Sequence, residues 1–146
     1  MKSLIHAAVM TGAVLAAIVM TTPLYAQVDE PLTFTTDFSF IVNGKTMPAG
    51  RYELRPLDDQ LGVMRLAESH GRASVFFDVV PTSGPAPRDS EIVFDEAHNT
   101  YFLHTIRIAD ETAGASVVGL SKSEDRLAMN VSQKHVPAYR LHQATT

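Results

Sequence analysis

From Phe34 to Val42 apolar and polar residues alternate. Phe34, Thr36, Phe38, Phe40 and Val42 fall on one side, and Thr35, Asp37 and Ser39 on the other. A period of two predicts a half-buried β-strand. Asn43-Gly44 follows, the pair best able to take the left-handed conformations of a tight hairpin turn. Pro48-Ala49-Gly50 bends the chain again, and Tyr52 and Leu54 resume the alternation as far as Pro56. Beyond a polar turn at Leu57 to Gln60, Leu61 to Ala67 reads as a strand with Met64 and Leu66 inward, and His70-Gly71 reverses the chain. Val75 to Val80 is apolar on both faces apart from Asp78, which predicts a central strand covered on both sides.

Pro81 to Ser90 holds three prolines and a glycine and predicts a loop. Ile92 and Phe94 open a second hairpin that turns at Ala97-His98-Asn99-Thr100 and returns along Tyr101 to Ile108. Asp110 to Ala115 reads as a polar loop and Ser116 to Leu120 as a short strand. Ser121-Lys122-Ser123-Glu124 has capping-box spacing and predicts a short helix over 121–129. The stretch 137–146, opening with Pro137, predicts a flexible C-terminal tail. Short strands with turn signals between them predict an all-β domain over 27–136, an antiparallel β-sandwich or flattened barrel with a short C-terminal helix.

The first 26 residues stand apart. Lys2 gives a positive start, Leu4 to Met20 is almost wholly apolar, and Thr21-Thr22-Pro23 and Leu24-Tyr25-Ala26 lead to a small residue. That order predicts a secretory signal peptide over 1–26, with an exported, periplasmic or extracellular product and no membrane span after removal. A retained anchor is the competing reading, but the apolar run is shorter than the ~20 residues a spanning helix needs. Of the 146 residues 120 remain, and 11 Lys and Arg against 16 Asp and Glu set a net charge of −5. Nothing in that balance calls for nucleic acid, which wants a basic face. The chain has no cysteine, hence no disulfide framework and no thiolate chemistry. A core of this length can stand without staples, which suits a bacterial exported protein better than a small disulfide-rich module.

Several stretches invite a chemical reading. Gly44-Lys45-Thr46 is the tail of a phosphate loop, but the required first glycine is Ser39, and Pro48 and Gly50 oppose the helix that must follow. Gly114-Ala115-Ser116-Val117-Val118-Gly119 resembles a nucleophile elbow whose second glycine comes one residue late. Beyond the leader stand His70, His98, His104, His135 and His142, with Asp95 and Glu96 beside His98. His98, His104 and Asp95 are the candidates for a metal or hydrolytic site, although no compact ligand spacing is present. On a regular strand His104 shares its face with Phe102, Ile106 and Ile108, which favours a core histidine. Asp58-Asp59, Asp95-Glu96 and Glu124-Asp125 could serve as acid–base pairs, yet neighbours on a strand point to opposite faces and turns collect acids. Sugar binding leans on exposed aromatic rings. The region after the leader has no Trp and only Tyr52, Tyr101 and Tyr139 as tyrosines.

Three stretches, "FSFIVNGKTMPAGRYEL", "IVFDEAHNTYFLHTI" and "SKSEDRLA", together resemble small uncharacterised exported β-rich proteins of acidobacterial type. Those carry Phe-x-Phe-x-Val-x-x-Lys-x-Leu-Pro-Ala-Gly-x-Tyr near the start, a later Phe-x-x-x-Gly-x-x-Tyr-Phe-Leu hairpin and a closing Ser-x-x-Glu segment. Here Met47 stands in place of the leucine, and Asn99-Thr100 brings no glycine to the second turn. The resemblance implies export and a compact β-fold, and it carries no catalytic residue or cofactor onto this chain. The expectation is a non-catalytic binding or structural role at the cell envelope, toward an envelope component, protein, glycan or lipid. The alternatives are a hydrolase using the His98, His104 and Asp95 region, or a sugar- or lipid-binding module. Asn43, Gly44, Pro48 and Gly50 are assigned as structural turns.

Overall fold

A computed structural model describes residues 31–57, 62–118 and 131–141. Ten strands occupy them: β1 Leu32–Thr36, β2 Phe40–Val42, β3 Lys45–Met47, β4 Gly50–Pro56, β5 Val63–Glu68, β6 Ser74–Ser83, β7 Glu91–Ala97, β8 Thr100–Arg107, β9 Ala113–Val117 and β10 Ser132–Arg140. The strands β8, β7, β10, β1, β4, β5, β6 and β9 follow one another in space, and β9 returns to β8. Every one of those contacts is antiparallel. The architecture is therefore a closed eight-stranded barrel, not a sandwich, with a small β2–β3 hairpin attached to it. The helix expected over 121–129, the leader 1–26, Asp58-Asp59 and His142 lie outside the described residues.

Eight strands leave an interior just wide enough for side chains. Aromatic rings fill this one: Phe40 lies 5.1 Å from Tyr52 and 5.0 Å from Phe94, and Phe34 lies 5.5 Å from Tyr52, ring centre to ring centre. Each such pair adds about 0.5–1.5 kcal/mol beyond its buried area. Leu32, Leu54, Leu66, Ile92, Leu103 and Ile106 complete the packing. Lys134 closes the cluster at one end, its ammonium 4.2 Å from the centre of the Phe38 ring and 5.1 Å from that of Tyr101. An apolar interior with Arg55, Arg65 and Asp78 exposed outside is the reverse of the pattern of a lipid-facing barrel.

The alternation from Phe34 to Val42 marks the inward face correctly but runs across two strands. A bend at Asp37 to Ser39 separates β1 from β2. The first pairs with β4 and β10, whereas the second lies parallel to β8 through Phe40↔Tyr101 and Ile41↔Phe102. Asn43 and Gly44 turn β2 into β3 with φ of +48° and +72°, the two left-handed residues a type I′ turn demands. The hairpin then reaches β6, where Asn43 Nδ2 donates to the Phe76 carbonyl at 3.1 Å and Lys45 Nζ to that of Ser74 at 2.8 Å. It stands in the gap left because β9 pairs only with Val79–Ser83 of β6 and Thr105–Arg107 of β8. Gly114 lets β9 close that seam, since a Cβ there would lie 2.8 Å from the Ile106 carbonyl oxygen.

The Pro48-Ala49-Gly50-x-Tyr52 stretch has a structural explanation. Tyr52 is fully buried, and its hydroxyl donates back to the Pro48 carbonyl, tying the bend to the core. Gly50 lies against Glu68, whose Oε1 would be 3.2 Å from an added Cβ. Burial first, and then the Glu68 carboxylate, push the Tyr52 phenol up to about 12.

Four further expectations change. Val75 and Val80 do not bracket a strand covered on both sides: Val75 and Phe77 face the core, while Phe76 and Val80 remain about half exposed at 51% and 49%. The closed barrel has no second layer over this face. Pro81 to Ser83 continue β6 against β9, because a proline is tolerated where the ladder needs no N–H from it. The strand expected at Ser116 to Leu120 starts earlier, at Ala113, where Gly114 and Ala115 are small enough for the seam. Pro137 to Arg140 form no tail: they complete β10, with Ala138 to Arg140 paired to β1.

Candidate functional site

The pairing of β7 with β8 slips between Val93 and Phe94: Val93 faces Thr105 and Phe94 faces Leu103. His104 is left without a partner on β7, as the extra residue of a bulge. Bulges re-aim side chains, and this one turns His104 away from the interior that Leu103 and Ile106 occupy. The ring is half-buried beside Asp95, with Nδ1 3.5 Å from the carboxylate Oδ1 and 3.1 Å from Thr105 Oγ1. Ser116 comes into the same neighbourhood, but its hydroxyl points to the His104 backbone carbonyl at 3.5 Å and not to the ring.

His98 does not join them. With Asn99 it forms the tip of the β7–β8 hairpin, and six residues of strand at ~3.3 Å each place it roughly 20 Å from His104. Both tip residues are left-handed, His98 at φ +51° and Asn99 at +60°, so a two-residue turn forms without glycine. The paired carboxylates serve separate partners. Asp95 accepts from Gln133 Nε2 at 3.4 Å, and Glu96 accepts from the Tyr101 hydroxyl at 3.2 Å. Burial first, and then the hydrogen bond and charge of Glu96, hold the Tyr101 phenol above its usual range. Among the described residues no group of three or more His, Cys, Asp or Glu is placed to hold a metal ion.

A concavity among the described residues lies elsewhere. Strand β10 pairs with β7 only as far as Pro137 and with β1 from Ala138 onward. Because β7 begins at Glu91, the far end of β10 meets instead the chain leading into β7, through Ala138 N–H to the Ser90 carbonyl at 2.8 Å. A groove of about 710 Å³ opens there, with Arg88, Glu91, His135, Tyr139 and Arg140 among its walls. Glu91 is held from two sides, by His135 Nδ1 at 2.9 Å and Arg107 Nη1 at 3.1 Å. Arg140 is steadied by Glu111 at 3.2 Å. A second groove of about 380 Å³, with Thr33, Thr35 and Arg51 along it, lies across the strand.

Tyr139 and Pro137 line both grooves, so the tyrosine stands as a ridge between them. Its exposure is 67%, the largest among the exposed large hydrophobic residues. Of the three described tyrosines, Tyr52 is spent in the core and Tyr101 on Lys134 and Glu96, which leaves Tyr139 free to meet a ligand. The sequence could have shown it: Val136 and Ala138 alternate with Tyr139 about a strand axis, but Pro137 reads as a breaker. Guanidinium donors, carboxylate acceptors and a flat apolar ring side by side suit a polyhydroxylated ligand with one apolar face. Compared with protein-family models, curated proteins and solved structures, the chain matches none.

Proposed function

We propose that the chain is an exported, non-catalytic β-barrel module that binds an envelope glycan across the outer face of β10. One observation carries this reading: the exposed Tyr139 ring between two grooves that hold Arg51 on one side and Arg88, Arg140 and Glu91 on the other. A sugar ring stacked on Tyr139 would present its hydroxyls to those charged side chains. The interior among the described residues is filled with aromatic rings. The basic start, apolar middle and small residue at Ala26 support export.

The test is titration of envelope polysaccharide fragments into the protein, followed by Tyr139 fluorescence and calorimetry. Tyr139→Ala is expected to weaken binding about tenfold, the worth of one stacked ring, with thermal unfolding unchanged. Binding indifferent to Tyr139→Ala, or no fragment that perturbs Tyr139, would overturn the reading.

The 3.5 Å approach of His104 to Asp95 favours a second reading, a hydrolase in which the carboxylate orients the imidazole. Hydrolytic turnover that falls in Asp95→Asn and His104→Gln but survives Tyr139→Ala would select it.

A further inference from the structure

The outward face of β6 is unusual for a strand without a second layer. Phe76, Asp78 and Val80 point outward in succession, and the two apolar side chains are half exposed. Val118, 41% exposed, lies beside them, its N–H donating to the Asp78 carbonyl at 2.8 Å. On the neighbouring strand Arg65 stands opposite Phe76 and Val63 opposite Asp78. The patch therefore sets Phe76 between a cation, Arg65 across the strands, and an anion, Asp78 two residues along β6, with Val80 beyond the anion. Arg65 and Asp78 are both exposed, and neither makes an ion pair among the described residues. Arg65 also faces Arg55 across β4 and β5, while Arg55 is already bonded to Glu53. Like charges set opposite each other cost stability, so an anion brought face to face with Arg65 would offset the Arg55 charge.

We propose that this face joins two copies of the chain about a two-fold axis, with Phe76 beside the axis and Arg65 of one copy opposite Asp78 of the other. A two-fold contact needs a patch complementary to itself. Rotation about an axis lying between Arg65 and Asp78 superimposes each charge on its opposite and brings the two Phe76 rings together. The apolar residues become covered and both charges are satisfied at once. The surface is on a different part of the barrel wall from the Tyr139 groove and does not depend on it.

Sedimentation of the purified protein over a range of concentrations tests the pairing. A monomer–dimer equilibrium that shifts to monomer in Phe76→Ser is expected. Arg65→Asp and Asp78→Arg should each weaken the dimer at least about tenfold, since each sets like charges face to face twice. The double reversal in one chain should restore it, because the pairs re-form with their signs exchanged, and Tyr139→Ala should leave it intact. Thermal unfolding of each variant under dilute, monomeric conditions separates a lost interface from a lost fold. A protein that stays monomeric throughout, a dimer indifferent to Phe76→Ser, or single reversals not rescued by the double would each overturn the proposal.

Discussion

The buried phenol of Tyr52 makes alkaline pH a probe of the core. In the unfolded chain a tyrosine gives up its proton near pH 10, whereas here the folded value is about 12. Between those values the native state holds more protons than the unfolded one, so stability falls as pH rises. The stabilisation is complete below pH 10 and is lost as pH climbs through the folded value. Two pH units correspond to a loss on the order of 2–3 kcal/mol. Tyr101, also raised, adds to the slope, so the comparison must be with Tyr52→Phe. That variant forfeits the bond to the Pro48 carbonyl, about 1 kcal/mol at neutral pH, but has no phenol to ionise. The two stability curves, measured by urea unfolding from about pH 8 upward, should cross near pH 11, beyond which the phenylalanine form is the more stable. Parallel curves would refute the reasoning, since they would mean that the folded phenol titrates as it does in water.

Three other variants probe features of the barrel. Gly114→Ala should destabilise the protein by about 1–3 kcal/mol, because the new methyl meets the Ile106 carbonyl at the β8–β9 seam; an unchanged urea midpoint would mean the seam can widen freely. Thr36→Val should stabilise by about 1 kcal/mol, since Thr36 Oγ1 is buried without a hydrogen-bond partner among the described residues; a lower midpoint would reveal a partner the hydroxyl uses. His98→Asn combined with Asn99→Gly installs the residues a type I′ turn prefers and should raise the unfolding temperature by the equivalent of about 1 kcal/mol. A fall would show that contacts at the tip, and not local strain, set the turn.

Alternation made the β class, the Asn43-Gly44 turn, the Pro48–Gly50 bend and most inward residues legible. It reports which side of a strand faces the core, and says little about what the other side meets or where a pairing partner changes. Phe34 to Val42 looked like one strand because the inward period survives the bend at Asp37 to Ser39, although the partners switch from β4 and β10 to β8. The bulge that frees His104 is a two-strand property: β8 alone shows a continuous pattern, and only its pairing with β7 reveals the slip. Pro137 was misleading for the opposite reason. A missing N–H is costly only where the ladder needs it, and β10 changes partner at that residue. The candidate groove was hidden with it, since the change of partner is what opens the wedge beside Tyr139.

The stretch that most resembles a motif proves to be part of the barrel's closure. Phe40 and Val42 point inward, Asn43 and Lys45 reach the carbonyls of β6, and Tyr52 anchors the Pro48 bend. Each of its distinctive residues is consumed by an intramolecular task. A resemblance carried by such residues reports how the wall is shut and is silent on ligands. The binding proposed above draws on outward positions, whose identity the closure leaves unconstrained. Two of them stand out because their exposure has a cost that folding alone does not require: the ring of Tyr139 on β10, and the Phe76–Val80 pair beside Arg65 and Asp78, which make no ion pair among the described residues. If neither had a partner, polar residues at positions 76, 80 and 139 would fold the same barrel with less apolar surface in water. Phe76→Ser and Tyr139→Ala, each expected to lose an interaction while leaving the unfolding transition in place, put that argument at risk directly.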